Sequence, residues 1–432
     1  EKMTGNLIAH LMGNPSLNLA DVAYTLHVGK KSFSHRRFVV CRDVDDALSA
    51  MESMDPKRVL SYNLAPENRS VTFMFPGLGE QYVNMSRGIY ESEPTFREDI
   101  DRCLEILDQQ LGIDLKEILY QEREKEEIPS LQQPRLNLKK MLNREPEDAD
   151  EASQRLNQTK YSHPAVFVIE YALAKLWIRW GITPRAMIGY SLGEYVAACL
   201  AGVLSLEDTL RILVKRAELI ERLPKGIMLA VPLPENELKD ILGDELSLAV
   251  VNAPSLCVAA GPEEAVITLE ESLNKRDILS RRIRTSHAFH SKMMEPMKEE
   301  FANYLKDMSF SPPEIPYISN VTGTWITDEE ATDPFYWAEH TCRTVHFSKG
   351  VGLLLENSET TLLEVGPGQS LTGFAIQHPN NGKAMNGHVF PSLRNRNENL
   401  PDELFLLNTI GRLWLGGVEI DHTALYAGEQ RS

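Results

Sequence analysis

"IGYSLGEYVA", residues 188–197, sets a serine between two glycines, after the apolar run "AMIG" and before the helix-forming "EYVAACLAG". Strand, tight turn and helix in that order are the context that a G-x-S-x-G nucleophile elbow requires. The pattern predicts an α/β fold with its chemistry at the carboxyl ends of strands. A bare G-x-S-x-G turns up by chance in about one chain in ten of this length, so the flanking pattern carries the reading. A helix opening at Leu192 aims main-chain N–H groups at Ser191, and the N–H of Leu192 is a natural oxyanion donor.

Upstream, the strand "VTFMF" (71–75) runs into "PGLGEQ", where two glycines in three residues permit a tight turn. The N–H of Leu78 is the expected second oxyanion donor. A serine nucleophile needs a base, and "TSHAFHSKMMEPM" offers both His287 and His290; the residues alone do not choose between them. No Asp or Glu stands in an obvious position to fix the histidine tautomer. Arg216 lies in a helix opened by the capping pattern "SLED" (205–208). An arginine in an apolar helix usually snorkels to solvent; the functional alternative is a bidentate clamp for a carboxylate.

The 432 residues suggest two or three domains, and 42% hydrophobic with 25% charged residues is ordinary for a soluble globular chain. No apolar run approaches the roughly 18 residues of a membrane span. Forty-five basic against 62 acidic residues give a net charge of -17, which argues against nucleic acid or an anionic membrane as partner. Five scattered cysteines with no metal-ligand spacing fit a reduced, cytoplasmic setting. A start at Glu1 without a leader or initiator methionine suggests a piece of a longer protein.

Residues 1–70 read as a small α/β unit: a helix around "LADVAYTLHVGKK", a strand "SHRRFVVCRD" and a helix "VDDALSAMESM". Residues 110–160 are polar and charged, and read as a solvated excursion apart from the chemistry. From 223 to 287 the order of elements is βαββαβ, a ferredoxin-like small subdomain. It is inserted into an α/β-hydrolase-like large subdomain formed by 71–222 and 288–390, to which "YISNVTG" and "TLLEVG" contribute strands. A last amphipathic helix, "ELFLLNTIGRLWLGG", lies in 391–432.

Together these motifs resemble the acyltransferase domain of a modular type I polyketide synthase, a relative of the malonyl-CoA:ACP transacylases. "FMFPGLGEQY" resembles the family's F-P-G-Q-G-x-Q, "GYSLGEYVAA" its G-H-S-x-G-E and "SLEDTLRILVKRAELI" its arginine helix. "HAFHSKMMEPM" resembles its histidine motif, and "YWAEHTCRTVHF" and "EVGPGQSLTGF" its closing motifs. "DVAYTLHVGKKSFSHRRFVV" is similar to the linker that follows a ketosynthase, and "FPSLRNRNENL" with "GVEIDHTALY" to the linker after the acyltransferase. The resemblance implies Ser191 as nucleophile, His290 as general base and the main-chain carbonyl of His340 as the group that orients His290. It also implies Leu78 and Leu192 as oxyanion donors and Arg216 as the substrate carboxylate's partner. Leu78 stands where the family usually has glutamine, which a main-chain donor tolerates.

The resemblance further implies transfer of a malonyl-type unit, through a serine ester, to the phosphopantetheine thiol of an acyl carrier protein. Coenzyme A or phosphopantetheine thioesters are then substrates, with no permanently bound cofactor and no metal. The partners are the carrier, the ketosynthase and other domains of the same synthase. "HAFH" (287–290) and Leu192 are similar to malonyl-selective members, and Phe289 should crowd an α-methyl group. Tyr190 and His163 depart from the family's His and Gln. They are expected either to be neutral or to accommodate a small polar substituent such as the hydroxyl of hydroxymalonyl, which the family takes from a donor carrier. An acidic carrier docking on an acidic chain needs a local basic strip, and Lys275, Arg276, Arg281, Arg282, Arg284 and Lys292 offer one. A proofreading acyl-thioester hydrolase and a catalytically silent docking module are the competing classes.

Overall fold

A computed structural model describes residues 1–30, 33–63, 69–121, 151–381 and 388–431. Among them run the strands β1 (His35–Val39), β2 (Val59–Asn63), β3 (Ser70–Phe75), β4 (Pro184–Gly189), β5 (Ile227–Val231), β6 (Ser247–Ala253), β7 (Leu256–Gly261), β8 (Arg281–Ile283), β9 (Tyr317–Ile318), β10 (Thr360–Glu364) and β11 (Val389–Pro391).

The largest sheet has the order β11-β10-β3-β4-β9, and every neighbouring pair in it is parallel. Residues 71–75 of β3 are all buried, as expected of a central parallel strand covered on both faces. The helix Thr159–Arg179 is buried on almost every side because Pro94–Leu111, Gly193–Leu200 and Leu206–Glu221 pack around it. Phe75 at the end of β3 is in register with Gly189 at the end of β4, so the "PGLG" turn and the serine elbow leave the sheet side by side.

That juxtaposition is why three glycines are needed. A Cβ on Gly189 would sit 2.0 Å from the nitrogen of Glu194, one on Gly193 2.2 Å from the oxygen of Phe75, and one on Gly77 2.3 Å from the oxygen of Tyr190. Gly77 also has φ +67, a region closed to most side chains.

The second sheet is antiparallel, in the order β6-β7-β5-β8, and carries the helices Glu235–Lys239 and Glu263–Asn274. The chain order is βαββαβ, the ferredoxin-like unit. Val345 ties it to the large sheet's unit: its N–H donates to Ala249 O and its carbonyl accepts from Val251 N, both at 2.9 Å.

Several sequence expectations change in detail. "YISNVTG" is a strand only at Tyr317–Ile318, because the chain turns at 319–323, where Gly323 has φ +64. "LSRRIRT" shortens to three residues at the sheet edge, and "PENELKDIL" is helical only through Lys239. The strands β2 and β11 and the helix Lys2–Gly13 have no counterpart in the sequence pattern. Most of the charged excursion lies outside the described residues. Its described flanks are core rather than solvated: Ile113, Leu115, Ile118, Leu119, Ala152 and Leu156 are buried.

The two flanks of the chain meet each other. Helix Asp402–Leu415 packs on β1 and β2, and the Phe38 ring lies where a Cβ on Gly411 would meet it at 2.4 Å. The Arg36 guanidinium lies 5.1 Å over the Trp414 ring, and His27 stacks on His422 at 5.0 Å. Among the described residues no helix is long and apolar enough to cross a membrane, and no cluster of side chains could hold a metal ion.

Candidate active site

Ser191 sits at the tip of the turn between β4 and the helix Gly193–Leu200, with φ 53. A positive φ on a non-glycine residue is strained, and here it thrusts the hydroxyl off the sheet end. Ser191 Oγ lies 2.6 Å from His290 Nε2. The other ring nitrogen, Nδ1, is 3.1 Å from the carbonyl oxygen of His340 and 3.0 Å from that of Arg343. Main-chain acceptors thus hold the proton on Nδ1 and leave Nε2 free to accept from the serine. His340 is expected in this position from the family resemblance; Arg343 is not, because a carbonyl has no signature in a side-chain pattern. Of the two candidate bases, His290 is at the serine, while His287 bonds Ser286 Oγ through Nδ1 at 2.8 Å.

Burial depresses the pKa of His290 to about 3, with the positive fields of His340 and Arg216 adding to the effect. The imidazole is therefore neutral at physiological pH and competent as a base. The main-chain N–H groups of Leu78 and Leu192 donate to nothing among the described residues. The Cβ position of Gly77 lies 3.5 Å from the nitrogen of Leu192, so the two donor turns adjoin. A free pair of N–H groups beside a serine is what a tetrahedral oxyanion needs. The turn is anchored from below: Gly77 N donates to Glu170 Oε1 at 2.7 Å. Burial raises the pKa of Glu170 well above the usual carboxylate range.

Arg216 does not snorkel. It projects from the inward face of Leu206–Glu221 and is 0% exposed. Its Nε and Nη2 are buried without a hydrogen-bond partner, and no carboxylate faces it among the described residues. The guanidinium carbon is 5.9 Å from the centre of the Tyr195 ring and 6.0 Å from that of Phe289. Desolvation lowers its pKa from the usual value. An isolated buried cation is costly, so this geometry favours an incoming anion.

His163 is wholly buried against Arg216, and burial with the neighbouring positive charge holds its pKa well below the ordinary value. Phe289 lies 6.2 Å from both the His163 and the His287 rings. Tyr190 packs edge-on against Phe347 at 5.5 Å, and its hydroxyl faces Asn252. The basic strip is exposed throughout but not uniformly available. Arg282 is held by Glu270 at 2.6 Å and approached by Glu263 at 3.5 Å, and Lys292 Nζ donates to Asp244 O at 2.8 Å.

Three further residues at the site escape the sequence reading. Asn320 Oδ1 accepts the N–H of Ser191 at 2.6 Å, and Asn320 Nδ2 donates to Gly189 O at 2.7 Å. Glu194 and Tyr336 lie behind it, both buried. The signal that could have found them is Glu194 in the elbow stretch itself: a charge inside an otherwise apolar, buried helix has to be paired.

A family model for the acyl transferase domain matches residues 72–419, and one for the C-terminal part of CurL-like polyketide synthases matches residues 1–51. One subunit of the phenolphthiocerol/phthiocerol polyketide synthase of Mycobacterium tuberculosis is 33% identical over 430 residues, covering 96% of this chain. The chain spans only 27% of that relative's length. The solved acyl transferase domain of ZmaA is 38% identical, with a TM-score of 0.88 over 100% of this chain and 94% of that one. That of SpnD, in complex with 2-(pent-4-yn-1-yl)malonyl, is 34% identical with a TM-score of 0.82 over 98% and 93%. The sheets and the Ser191–His290 pair thus accompany a match over most of the sequence, and this chain belongs to the acyl transferase domains of modular type I polyketide synthases.

Proposed function

We propose that the chain moves a malonyl-type acyl unit from a thioester donor, through an ester on Ser191, to the phosphopantetheine thiol of an acyl carrier protein. The observation that carries this reading is Arg216, a fully buried guanidinium with two nitrogens unpartnered. A malonyl carboxylate supplies the missing bidentate partner; acetyl or a simple fatty acyl group leaves the cation unpaired.

In the first half-reaction His290 Nε2 takes the Ser191 hydroxyl proton as Oγ bonds to the thioester carbon. The oxyanion accepts from Leu78 and Leu192. The C–S bond then breaks, and the departing thiolate takes the proton from Nε2. In the second, Nε2 deprotonates the carrier thiol, sulfur attacks the ester, and the C–O bond breaks with the proton returning to Ser191 Oγ. No metal or bound cofactor enters either step.

The extender is malonyl or a small polar α-substituted malonyl such as hydroxymalonyl, the latter delivered on a donor carrier. Tyr190 beside the nucleophile and His163 against Arg216 support a pocket altered where an α-substituent would lie. Residues 1–70 and 391–432 are read as linkers joining the unit to a ketosynthase and to later domains of a cytoplasmic synthase. The match of 1–51 to a polyketide synthase segment supports the first.

Intact mass after brief exposure to acetyl-CoA, malonyl-CoA, methylmalonyl-CoA and carrier-bound malonyl and hydroxymalonyl tests the proposal. Labelling by malonyl-type donors that is absent in Ser191→Ala is expected. Labelling by acetyl-CoA at an equal rate would refute the carboxylate reading. Free acid released faster than carrier is loaded would favour a hydrolase. Labelling by the carrier-bound hydroxymalonyl donor alone would assign Tyr190 and His163 to the substituent.

A further inference from the structure

Glu194 follows the second glycine of the elbow and is 0% exposed, yet no arginine or lysine pairs with it among the described residues. Its carboxylate is instead shared between groups on separate segments. Oε2 accepts the N–H of Asn320 at 2.7 Å, and Asn320 in turn holds both the N–H of Ser191 and the carbonyl of Gly189. The same Oε2 lies 3.2 Å from His340 Nε2 but outside hydrogen-bond geometry, and the carbonyl of His340 is one of the two acceptors on His290 Nδ1. Oε1 accepts from the Tyr336 hydroxyl, which also lies 2.7 Å from Ser319 Oγ.

The elements involved come from distant parts of the chain. Ser191 leaves β4, Asn320 follows β9 at the same end of the sheet, and His340 ends the helix Pro334–His340. His290 is itself strained, with φ 57, so its segment does not hold the catalytic position by local preference. A buried carboxylate shared by several segments fixes their separation more tightly than packing alone, because each lost bond leaves a desolvated group.

We propose that Glu194 is a positioning residue that sets the Ser191–His290 distance by bracing the serine turn through Asn320 and the histidine through Tyr336, which ties the carboxylate to the helix Pro334–His340 whose last carbonyl holds His290. The inference rests on Ser191 and His290 being nucleophile and base. A second consequence of the brace concerns the oxyanion site. With Asn320 occupying the Ser191 N–H, the turn is locked in an orientation that leaves the Leu192 N–H unclaimed.

The test compares wild type, Glu194→Gln, Tyr336→Phe, Asn320→Ala and the Glu194→Gln/Asn320→Ala double variant, with Ser191→Ala as control. Acylation by malonyl-CoA is followed by rapid quench and intact mass. Inactivation by a small fluorophosphonate, which needs the serine and histidine but not Arg216, is followed in parallel, and thermal unfolding reports the fold. Glu194→Gln and Asn320→Ala are each expected to lower the saturating acylation rate and the fluorophosphonate rate by on the order of 10-fold or more, with the donor KM within about twofold. The double variant should lose less than the product of the single losses, because the two residues act through one connection. Tyr336→Phe keeps the side chain's volume and should lose about threefold in both rates, so the inference remains testable should Glu194→Gln not fold. Wild-type rates in folded Glu194→Gln or Tyr336→Phe would overturn the inference while leaving the nucleophile reading intact. Labelling of Ser191→Ala at the wild-type rate would overturn the nucleophile reading instead.

Discussion

Arg216 Nη1 lies 3.3 Å from Nδ1 and 3.4 Å from Nε2 of His163, so the guanidinium meets the imidazole almost equally at both nitrogens. One lone pair at most is offered, by whichever nitrogen is unprotonated, and Nε and Nη2 of the arginine remain without partners. The cation is positioned but not neutralised.

Replacing Arg216 by methionine should therefore separate stability from function. Acylation by malonyl-CoA should fall by on the order of 10²- to 10³-fold, while acetyl-CoA gains relative to it. The melting temperature should hold or rise, because an unpaired buried charge is removed. Parallel intact-mass kinetics and thermal unfolding check both halves; a clear drop in melting temperature would mean that the cation is compensated in the free protein.

The pH profile of Ser191 acylation should lack the usual histidine inflection. With His290 pushed down to about 3 by burial, kcat/KM should stay flat from about pH 8 to about pH 5, whereas half-loss near 6.5 would show an ordinary imidazole. Stability should move the other way. His290 and His27, the latter lowered to about 4, bind protons in the unfolded chain below 6.5 but not in the folded one. Stability is thus present above 6.5 and is lost as pH falls toward these values, by about 1 kcal/mol for each pH unit at His290. The loss at His27 is smaller, because solvent reaches that side chain and screens it. Melting temperatures across about pH 5 to 8 measure the sum.

Glu170 should tolerate its amide. Burial raises its pKa and so disfavours the charged form, and one oxygen accepts from Gly77 while the other has no partner. Glu170→Gln should keep the acylation rate within about threefold, and Glu170→Leu, which frees the oxyanion turn, should lose about tenfold or more at unchanged donor KM. Equal behaviour of the two variants would dissociate Glu170 from the oxyanion turn.

The basic strip should be uneven. Arg282 is already countered by Glu270 and Glu263, whereas Arg281 lies exposed on the edge strand β8. Arg281→Glu should raise the carrier KM more than Arg282→Glu does, with acylation from coenzyme A unchanged in both. A larger effect at Arg282 would move the docking site toward the helix Glu263–Asn274.

The elbow, the inserted βαββαβ unit and the order of the motifs were legible because each writes itself into local pattern: glycines where backbones collide, alternation in strands, proline at helix starts. The site was legible only as far as side chains act for themselves. Ser191 is named by its own chemistry and its flanks, and His290 and Arg216 only once the family resemblance is added, whereas Arg343 contributes a carbonyl and Asn320 bonds to main chain across a fold that no local window spans. The short strand β11 was illegible for a related reason: three residues are too few for a period, and its place is fixed by the neighbouring β10. The flanks of the charged excursion misled because their buried leucines and isoleucines sit among charges that composition weighs equally.

Phe38 against Gly411, Arg36 over Trp414 and His27 on His422 join the beginning and the end of this chain into one buckle. The catalytic unit hangs between the two halves of that buckle as a cassette. A graft of that unit carrying only one half leaves an aromatic seam open to water, whereas a graft that carries both moves the closed clasp with its cargo.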